Sequence, residues 1–472
     1  MLTGLWWFGC PELPDMVAMP LPQGVIEGSC AVRVKNGSRV FCEATTGQSV
    51  AVDFVVEDLV DGRVVTVSSP AGTVHEGLAV GLVAERTFQW RVVPVDGSVG
   101  ASGEVTTRAL PDDLAWIPVI TGSPSGFDAL LIPWSCNFFG RLVMVDPMGR
   151  PVWYDNVSRL TADLVASVQG IQWTPERTVL VVVDRARVLE MSLAGDVLMD
   201  LEMGVQFDEA VHHDAARWGD ETLLLLAEEA IDGGGVSFVN DGVRRFDAQG
   251  VAQGDWWMND FIDPTGFVPS PLSYWTLQFP LSNDVFHTNA ISVDPQGDWL
   301  LSLRNMSAVL HVGGPHAEDA GVVRWVLAGD DSAPLVESLA WTSSAGVTPL
   351  DLYGQHAPSF TKAGTVILLD NRAAGPSRVL EIAIDAEAGI ADVIRSWDLG
   401  LECSFQGGVA ELENGDLVAT CAKYATLIGL ARAGGEAWRM GFECPLQIGF
   451  LTAVRGLPIQ GLWESTAEAL AE

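Results

Sequence analysis

The sequence has few positively charged residues. Lys and Arg total 26 against 61 Asp and Glu, which gives a net charge of −35 at pH 7. A surface of this charge repels the phosphates of nucleic acids and the headgroups of anionic membranes, so neither class of partner is expected. The same field opposes the long-range approach of an anionic substrate. Any site for an anion must therefore carry its own local positive charge.

Long apolar runs are also lacking. No run reaches the roughly 18 residues of a membrane-spanning helix, so we do not expect an integral membrane protein. Residues 1–23 lack the basic region of a signal peptide. Their apolar stretch ending in Gly9-Cys10 nevertheless resembles the end of a lipoprotein signal. A lipid anchor at Cys10 is therefore one hypothesis, with a periplasmic, cell-envelope or secreted location.

The seven cysteines include no CxxC pair and no Cys/His cluster at zinc spacing. Cys30 and Cys42 flank one predicted hairpin, and Cys403 and Cys421 flank another. If both pairs form disulfides, they indicate an oxidising compartment. Buried free thiols are the alternative interpretation.

Turn-forming residues are abundant, with 49 Gly and 25 Pro in a chain that is 48% apolar. This composition favours many short strands joined by turns. Residues 24–111 alternate between polar and apolar types with a period of two, which predicts a small β-sandwich of the fibronectin III or immunoglobulin-like class. His75 is expected on the surface of this domain.

A second pattern runs through residues 112–465. An apolar strand, a second strand, an Asp/Gly turn and a strand ending near a tryptophan recur six times. The copies lie at 142–153, 188–198, 243–257, 321–327, 379–397 and 427–438. Four-stranded repeats without helical periodicity are typical of β-propellers. The predicted fold is therefore all-β, a small sandwich followed by a six-bladed propeller, with residues 466–472 as a tail and 451–455 completing the first blade.

Histidine is scarce, with seven in 472 residues. Three of them, His213, His287 and His356, lie 9 to 11 residues before an apolar run, a spacing that indicates one position in a repeated unit. Equivalent positions in successive propeller blades point toward a common central channel. The sequence therefore predicts that the three imidazoles meet there, with His212 replacing His213 if the register shifts by one residue.

Further polar side chains fall near the ends of the strands that follow. Arg304 and Arg372 occupy such positions, together with Asn289 and Asn371. Three histidines could bind a metal ion, but arginines among them would repel a divalent cation, so a site without metal or cofactor is favoured. A metal-dependent hydrolase or oxidase stays as a hypothesis.

An insertion at about 255–284 is rich in aromatic residues, including Trp257 and Trp275. Long loops in compact domains commonly form lids or binding loops. These tryptophans either line a site for an aromatic substrate or form a structural plug. Two further histidines, His311 and His316, lie in a glycine-rich segment and are expected to be solvated.

Several of these segments together resemble the bacterial arylsulfate sulfotransferase family. The resemblance rests on 212–214 (His-His-Asp), 286–289 (Phe-His-Thr-Asn), 302–307 (Ser-Leu-Arg-Asn-Met-Ser), 355–356 (Gln-His) and 369–371 (Leu-Asp-Asn). Members of the family have a small β-sandwich before a six-bladed propeller. They move a sulfuryl group from one phenol to another without a nucleotide sulfate donor.

The resemblance implies a role for each matching residue. His356 corresponds to the nucleophile that becomes a sulfohistidine. His213 and His287 correspond to supporting histidines, Asn289 to the family's asparagine and Arg304 to its arginine. The implied partners are small phenols and aryl sulfates, and a homodimer is one expectation. The alternative is a catalytically silent propeller that binds an anionic or aromatic ligand at the cell envelope.

Overall fold

The computed structural model describes residues 25–33, 36–97, 100–136, 139–157, 167–265, 267, 275, 278–329, 337–347, 352–444 and 456–466. Within these ranges the chain consists of strands and turns. The 3-10 turns Asp112–Leu114, Met258–Asp260 and Ala422–Tyr424 interrupt the strands. No helix in the described part is long and apolar enough to cross a membrane. Cys10 lies outside the described residues.

The first sheet belongs to the N-terminal region. Its strands are β1 (Val25–Val32), β2 (Val40–Asp58), β3 (Val64–Ala79), β4 (Thr87–Pro94) and β5 (Ser102–Thr106). They pair in the order β3-β2-β4-β5, with β1 on β2. Exposed and buried residues alternate strictly along β4, because successive side chains of a strand point to opposite faces of the sheet. The classification of this region as a sandwich stays a prediction.

Of the remaining strands, β33 (Glu464–Thr466) belongs to this first sheet, and the others form six further sheets in the described part of the chain. The strands of these six sheets are β6 (Val119–Gly122), β7 (Ala129–Cys136), β8 (Phe139–Val145), β9 (Pro151–Asn156), β10 (Val168–Trp173), β11 (Val179–Val183), β12 (Arg187–Met191), β13 (Val197–Glu202), β14 (Ala210–Trp218), β15 (Glu221–Ile231), β16 (Ser237–Phe246), β17 (Ala252–Trp257), β18 (Asn283–Asp284), β19 (Thr288–Val293), β20 (Trp299–Leu303), β21 (Ala308–Val312), β22 (Val323–Ala328), β23 (Ala340–Thr342), β24 (His356–Phe360), β25 (Val366–Asp370), β26 (Arg378–Asp385), β27 (Ile390–Asp398), β28 (Gly408–Glu411), β29 (Leu417–Cys421), β30 (Thr426–Leu430), β31 (Glu436–Gly441) and β32 (Leu457–Ile459).

Each of these sheets is built around a consecutive antiparallel run. The runs are β7–β9, β10–β13, β14–β17, β19–β22, β24–β27 and β28–β31. The first strands contact one another in succession, from β7 through β10, β14, β19 and β24 to β28, and β28 contacts β32, which pairs with β7. The sheets therefore surround a common axis. This all-β, propeller-like architecture confirms the predicted fold class. The blade count and the domain limits stay predictions, because several connecting segments lie outside the described residues.

The second strand of most sheets is buried on both faces. All five residues of β11, β20, β25 and β29 are buried. Such strands appear in the sequence as short continuous apolar runs rather than as alternating ones. Their regular recurrence makes the repeat detectable in the sequence.

The ring is closed by strands that are distant in sequence. β6 joins the outer edge of the last sheet by pairing with β31, and β32 pairs with β7. β33 pairs in parallel with β3 and ties the C-terminal segment to the N-terminal sheet. The strand predicted at 451–455 lies outside the described residues.

The structure joins Cys30 to Cys42 and Cys403 to Cys421, the two pairs that the sequence singles out. A third disulfide joins Cys136 to Cys444. No sequence pattern points to this bond, because 308 residues separate the two cysteines. Three disulfides are typical of proteins that fold in an oxidising compartment.

Two expectations about isolated histidines are wrong. His75 is buried, and its ring nitrogens lie 3.2 Å from the hydroxyls of Ser69 and Thr46. His311 is buried within β21 because its sheet is covered on both faces. His316, by contrast, has 57% of its side chain exposed, as expected for a loop residue.

Candidate active site

The three histidines of the repeat meet at the axis. His213 lies on β14, His287 immediately precedes β19, and His356 is the first residue of β24. The ring centroids of His213 and His287 are 4.7 Å apart. His356 is near both, because the charge of His287 lowers the pKa of His356 and the charge of His356 lowers the pKa of His213. The predicted convergence of three imidazoles is therefore present in the structure.

The histidines do not share one register. His356 pairs with Leu369 inside its sheet, whereas His213 lies within a bulge of β14, and the carbonyl of His287 accepts a hydrogen bond from Arg304 N. His213 and His287 have φ values of 53° and 51°, in the left-handed region that non-glycine residues seldom occupy. Such conformations concentrate at functional sites, where the surrounding fold enforces them.

The hydrogen bonds of His356 define its tautomer. Its Nδ1 lies 2.9 Å from the carbonyl oxygen of Gly354 and 2.7 Å from Oδ1 of Asn371. Both partners are acceptors, so Nδ1 must carry the proton in the neutral ring. The lone pair of the imidazole is then on Nε2. This is the nitrogen that is available for nucleophilic attack.

Asn371 is itself held in one orientation. Its Nδ2 donates to the carbonyls of Cys403 and Gln406, the latter at 3.1 Å. Since two carbonyls face the amide nitrogen, its oxygen must face His356. The Ser377 hydroxyl joins the loop that contains Cys403 to the residue that follows β25. It donates to the Asn371 carbonyl and accepts from Cys403 N, both at 2.9 Å. A fixed chain of hydrogen bonds thus supports Nδ1 of His356.

Burial and positive charge keep His356 neutral. His356 is only 5% exposed. This burial, and to a smaller extent the charge of the neighbouring Arg304 guanidinium, lowers the pKa of His356 from 6.5 to about 3. A neutral imidazole retains the lone pair that a nucleophile requires. Burial also lowers the pKa of Arg304, although a guanidinium remains charged in proteins.

The segment before His356 is anchored by a buried glutamine. Nε2 of Gln355 donates to the Ala308 carbonyl at 2.7 Å and also contacts Ser302 and Leu303. The Gln355 carbonyl accepts from Nδ2 of Asn289 at 2.8 Å. This bond brings Asn289 beside the nucleophile and uses one of the two hydrogens of its amide nitrogen.

His287 has a carboxylate partner. Its Nδ1 lies 2.7 Å from Oδ2 of the buried Asp284. The Asp284 carbonyl accepts from Nδ2 of Asn305, whose Oδ1 accepts from Nη1 of Arg304. The pair and the arginine are therefore parts of one network. Because Nδ1 of His287 faces the Asp284 carboxylate, Nε2 of the same ring points away from Asp284.

His212 and His213 are coupled directly. Their Nδ1 atoms are 2.9 Å apart, so a single proton lies between two nitrogens. Nε2 of His212 lies 3.5 Å from Oδ1 of Asp241. Burial and nearby His287 lower the pKa of His212 to about 3 and place that of His213 well below 6.5. Both histidines lie at the site and contact each other, so a one-residue shift of register does not exchange one for the other.

Several residues of the site were not predicted. Asp241 and Asp284 lie on β16 and β18, away from the repeat position that marks the histidines. Gln169 accepts a hydrogen bond from His213 N at 3.0 Å. The Arg185 guanidinium lies 5.5 Å from the Trp275 ring, and its charge lowers the pKa of His212. The one sequence signal that could suggest Asp241 and Asp284 is an isolated polar residue within or beside an apolar strand.

The predicted binding residues have different surroundings. Trp275 is buried, and its ring centroid lies 5.0 Å from that of His212. It therefore packs against this histidine inside the protein. Trp257 packs over Gly242 on β16. The Arg372 guanidinium donates to the Pro376 carbonyl at 3.2 Å, within its own turn. Asn371 contacts His356 directly and orients its ring.

A cluster of metal-ligand type lies elsewhere. Atoms of Asp294, Asp298 and His311 come within 4.8 Å of one another. The Arg324 guanidinium already pairs with Asp298, so a positive charge occupies that position. In the described part of the chain, the central histidines do not belong to a cluster of this type.

A family model described as arylsulfotransferase (ASST) matches residues 120–383, more than half of the chain. The match contains the three central histidines and Arg304. No curated protein gives a significant match.

Solved structures similar to this chain include a protein of unknown function from Bacteroides caccae, with 11% identity, a TM-score of 0.41 and coverage of 70% of this chain and 99% of that one. Virginiamycin B lyase from Staphylococcus aureus has 11% identity, a TM-score of 0.34 and coverage of 57% and 69%. A putative 6-phosphogluconolactonase from Bacteroides fragilis has 9% identity, a TM-score of 0.33 and coverage of 87% and 96%. Similarity at this level carries no argument about function.

Proposed function

The chain belongs to the arylsulfotransferase family, and from this premise we propose that it transfers a sulfuryl group from an aryl sulfate to a phenol through a sulfohistidine on His356. No nucleotide sulfate donor takes part. The observation that carries the proposal is the tautomer of His356. Its proton is fixed on Nδ1 by two oxygen acceptors, so the lone pair on Nε2 can attack sulfur.

Sulfuryl transfer requires positioning and fixed positive charge. By analogy with phosphoryl transfer, the transition state is loose, with charge spread over the peripheral oxygens. Arg304 supplies positive charge near His356, as the lowered pKa of that histidine indicates. Asn289 has a second amide hydrogen for a sulfuryl oxygen, and His287 is within electrostatic reach of His356. Donors aimed at developing charge commonly give the largest contribution to catalysis.

The reaction then proceeds in two displacements. In the first, Nε2 of His356 takes the sulfuryl group and the donor phenol departs. In the second, an acceptor phenol removes the group and regenerates the imidazole. One histidine must give a proton to the departing oxygen and take one from the acceptor, a role that contributes about 10²–10⁴-fold. We assign this role to His213, which lies beside His287 and within electrostatic reach of His356.

The disulfides support a location outside the cytoplasm. Cys403 belongs to the loop that holds Asn371, so one of the three bonds lies next to the proposed nucleophile. Reducing compartments rarely maintain such bonds. We propose a periplasmic, cell-envelope or secreted enzyme; the homodimer and the lipid anchor stay predictions.

The test is release of p-nitrophenol from its sulfate ester, with phenol as acceptor and a chelator present. We expect phenol-dependent release by the wild type and none above background by His356→Ala. His316→Ala is the matched control, because this histidine is exposed and outside the site. Without an acceptor, one equivalent of p-nitrophenol should be released, and the protein should gain the mass of one sulfuryl group.

Three results would contradict the proposal. Release that persists in a folded His356→Ala protein would exclude this histidine as nucleophile. Release abolished by the chelator alone would indicate a metal-dependent hydrolase. Folded wild-type protein that releases nothing with any phenol would favour a propeller that binds its ligand without turnover.

A further inference from the structure

Three polar side chains lie in succession from the centre of the site into the protein interior. His213 faces the centre, His212 contacts it through the two Nδ1 atoms at 2.9 Å, and Asp241 lies 3.5 Å from the far nitrogen of His212. His212 and Asp241 are 0% and 1% exposed. Within the described residues, neither His212 Nε2 nor Asp241 Oδ1 has a partner at the distance and angle of a hydrogen bond. Unpaired buried polar atoms are costly, so two that face each other call for an explanation.

The chemistry of the site supplies one. His212 and His213 are neutral at pH 7, because burial lowers the pKa of each. A neutral imidazole is a very weak acid unless its other nitrogen gains a proton as the first is lost. His213 can therefore protonate a departing phenolate only if its Nδ1 is reprotonated in the same event. The atom that faces this Nδ1 is Nδ1 of His212.

Asp241 is suited to be the origin of that proton. Its carboxyl is buried beside Asp284, and burial is the main reason that its pKa rises from 3.8 to about 8. Oδ2 accepts a hydrogen bond from Thr288 N at 2.6 Å. The proton is therefore expected on Oδ1, the oxygen that faces His212. At pH 7 this group is a neutral acid with one transferable proton.

We propose that Asp241 and His212 form a proton relay that lets His213 act as general acid and then as general base. The inference rests on the proposed function and deepens it, because it identifies the source of the proton in each half-reaction. Asp241 and His212 act through His213 and are positioning residues rather than catalytic ones.

The first half-reaction conserves protons and charge. The bond from Nε2 of His356 to sulfur forms while the bond from sulfur to the phenolic oxygen breaks, and the electron pair of that bond stays on oxygen. The oxygen takes the Nε2 proton of His213, whose Nδ1 takes the proton of His212 Nδ1. Nε2 of His212 then takes the proton of Asp241. The substrate enters with one negative charge, and Asp241 ends with one, so the net charge of the site is unchanged.

The second half-reaction reverses every step. The acceptor phenol gives its proton to Nε2 of His213 as its oxygen attacks sulfur. The relay then returns a proton to Asp241. One carboxyl thus supplies the proton that the departing phenol takes away. The positive charge of the sulfated His356 ring, which keeps its Nδ1 proton, is balanced by its own sulfuryl group, and neither His212 nor His213 has to become an imidazolium near Arg185 and Arg304.

A second carboxylate offers a competing source. Asp284 contacts Nδ1 of His287 at 2.7 Å, and a pair of this kind can also donate a proton. Other groups that face the relay are Arg185, whose charge lowers the pKa of His212, and the Leu226 carbonyl, which raises it. The experiment must therefore separate the line through Asp241 from the pair that contains Asp284.

The test uses a series of aryl sulfates whose leaving phenols differ in acidity. In a two-displacement mechanism, kcat/KM for the donor reports only the first half-reaction. Nitrophenolate leaves without a proton, whereas the more basic phenolate requires one. Asp241→Asn removes the proton source with little change in shape. His212→Asn can preserve a side-chain N–H toward His213 but cannot relay. Asp284→Asn is the matched control, because it removes a neighbouring carboxylate outside the line.

We expect Asp241→Asn and His212→Asn to lower kcat/KM for phenyl sulfate on the order of 10²-fold or more, and to lower it at least tenfold less for p-nitrophenyl sulfate. With phenyl sulfate, the wild type should show a solvent deuterium effect that depends on more than one proton, and the two variants should lose it. This isotope effect needs no variant for its first reading, so a variant that fails to fold does not prevent the test.

Two results would overturn the relay while leaving the proposed function intact. Equal losses on both donors would indicate a purely structural role for Asp241 and His212. A selective loss on phenyl sulfate in Asp284→Asn, and not in Asp241→Asn, would assign the proton to His287. Failure of the proposed function gives a different result, because the wild type then transfers no sulfuryl group from any donor.

Discussion

The two sides of the site differ in how completely their polar atoms are paired. On one side, Nδ1 of His356 has two acceptors, and Asn371 has two carbonyls on its amide nitrogen. On the other side, His212 Nε2 and Asp241 Oδ1 face each other without a hydrogen bond. The first arrangement holds one protonation state. The second permits a change of state.

The difference corresponds to the two tasks of a transferase of this kind. A nucleophile needs one tautomer and one orientation throughout the reaction, and complete hydrogen bonding provides both. A proton donor must lose and regain a proton in each cycle. Hydrogen bonds that stabilise only its protonated or only its deprotonated form would hinder this exchange.

Removal of the positive charge beside His356 should have the largest effect. Arg304→Met deletes the charge that lowers the histidine's pKa and that stabilises the sulfuryl oxygens. We expect kcat/KM to fall on the order of 10²–10³-fold, as for the loss of one oxyanion-stabilising donor. The matched control is Arg395→Met, because Arg395 pairs with Glu381 on an outer strand. Similar losses in both variants would contradict a specific role for Arg304.

Loss of the tautomer anchor should have the next largest effect. Asn371→Ala removes one acceptor from Nδ1 of His356, so the imidazole can rotate or change tautomer. We expect kcat to fall about 10²-fold, the lower end of the range for general acid–base contributions. Nitrogen NMR of labelled histidine should show a protonated Nδ1 in the wild type and a tautomer mixture in the variant. A single Nδ1-protonated species in both proteins would contradict the assigned role.

The pH dependence addresses the other side. The pKa of Asp241 is raised to about 8, so this carboxyl is protonated at pH 7 and ionises as the pH rises through 8. We expect kcat/KM for phenyl sulfate to decline above that pH, approaching tenfold per unit. Asp284 and the Thr288 amide face Asp241 and take part in setting this value. The decline should be absent in Asp241→Asn, and a decline preserved there would assign it to another group.

The disulfide beside the nucleophile should give the smallest change in activity. Cys403→Ala/Cys421→Ala releases the loop whose carbonyl holds Asn371. We expect a loss of about 2–5 kcal/mol in the free energy of unfolding and an activity loss smaller than that of Asn371→Ala. Cys30→Ala/Cys42→Ala is the matched control, because this disulfide lies in the N-terminal sheet. Thermal melting and donor kinetics should show stability loss in both proteins and activity loss only in the first.

The sequence was sufficient to predict the fold class because the fold repeats. Strands such as β11 and β25 are buried on both faces, so they produce apolar runs at regular spacing. The closure of the ring could not be read in the same way. β6 pairs with β31, and Cys136 pairs with Cys444. Each contact occurs once, between segments far apart in the chain, and therefore leaves no repeat to detect.

The same reasoning explains what was found of the site. The three histidines were visible because they are rare and approximately periodic, although bulges and left-handed residues place each in a different register. Asp241 and Asp284 had no such signal, because one acidic residue among 61 is not conspicuous. Their importance arises from burial and from the side chains they face, which only the three-dimensional structure provides.

The closing contacts constrain the order of folding during synthesis. The strand that completes the first sheet of the ring, β32, leaves the ribosome more than 300 residues after its partner β7, and the bond between Cys136 and Cys444 spans a similar distance. Until then, β7 has an unpaired edge of the kind that recruits other strands. Contacts this distant in sequence also form slowly. The last residues of the ring to be synthesised therefore remove an edge that is open to wrong pairing for most of the chain's synthesis.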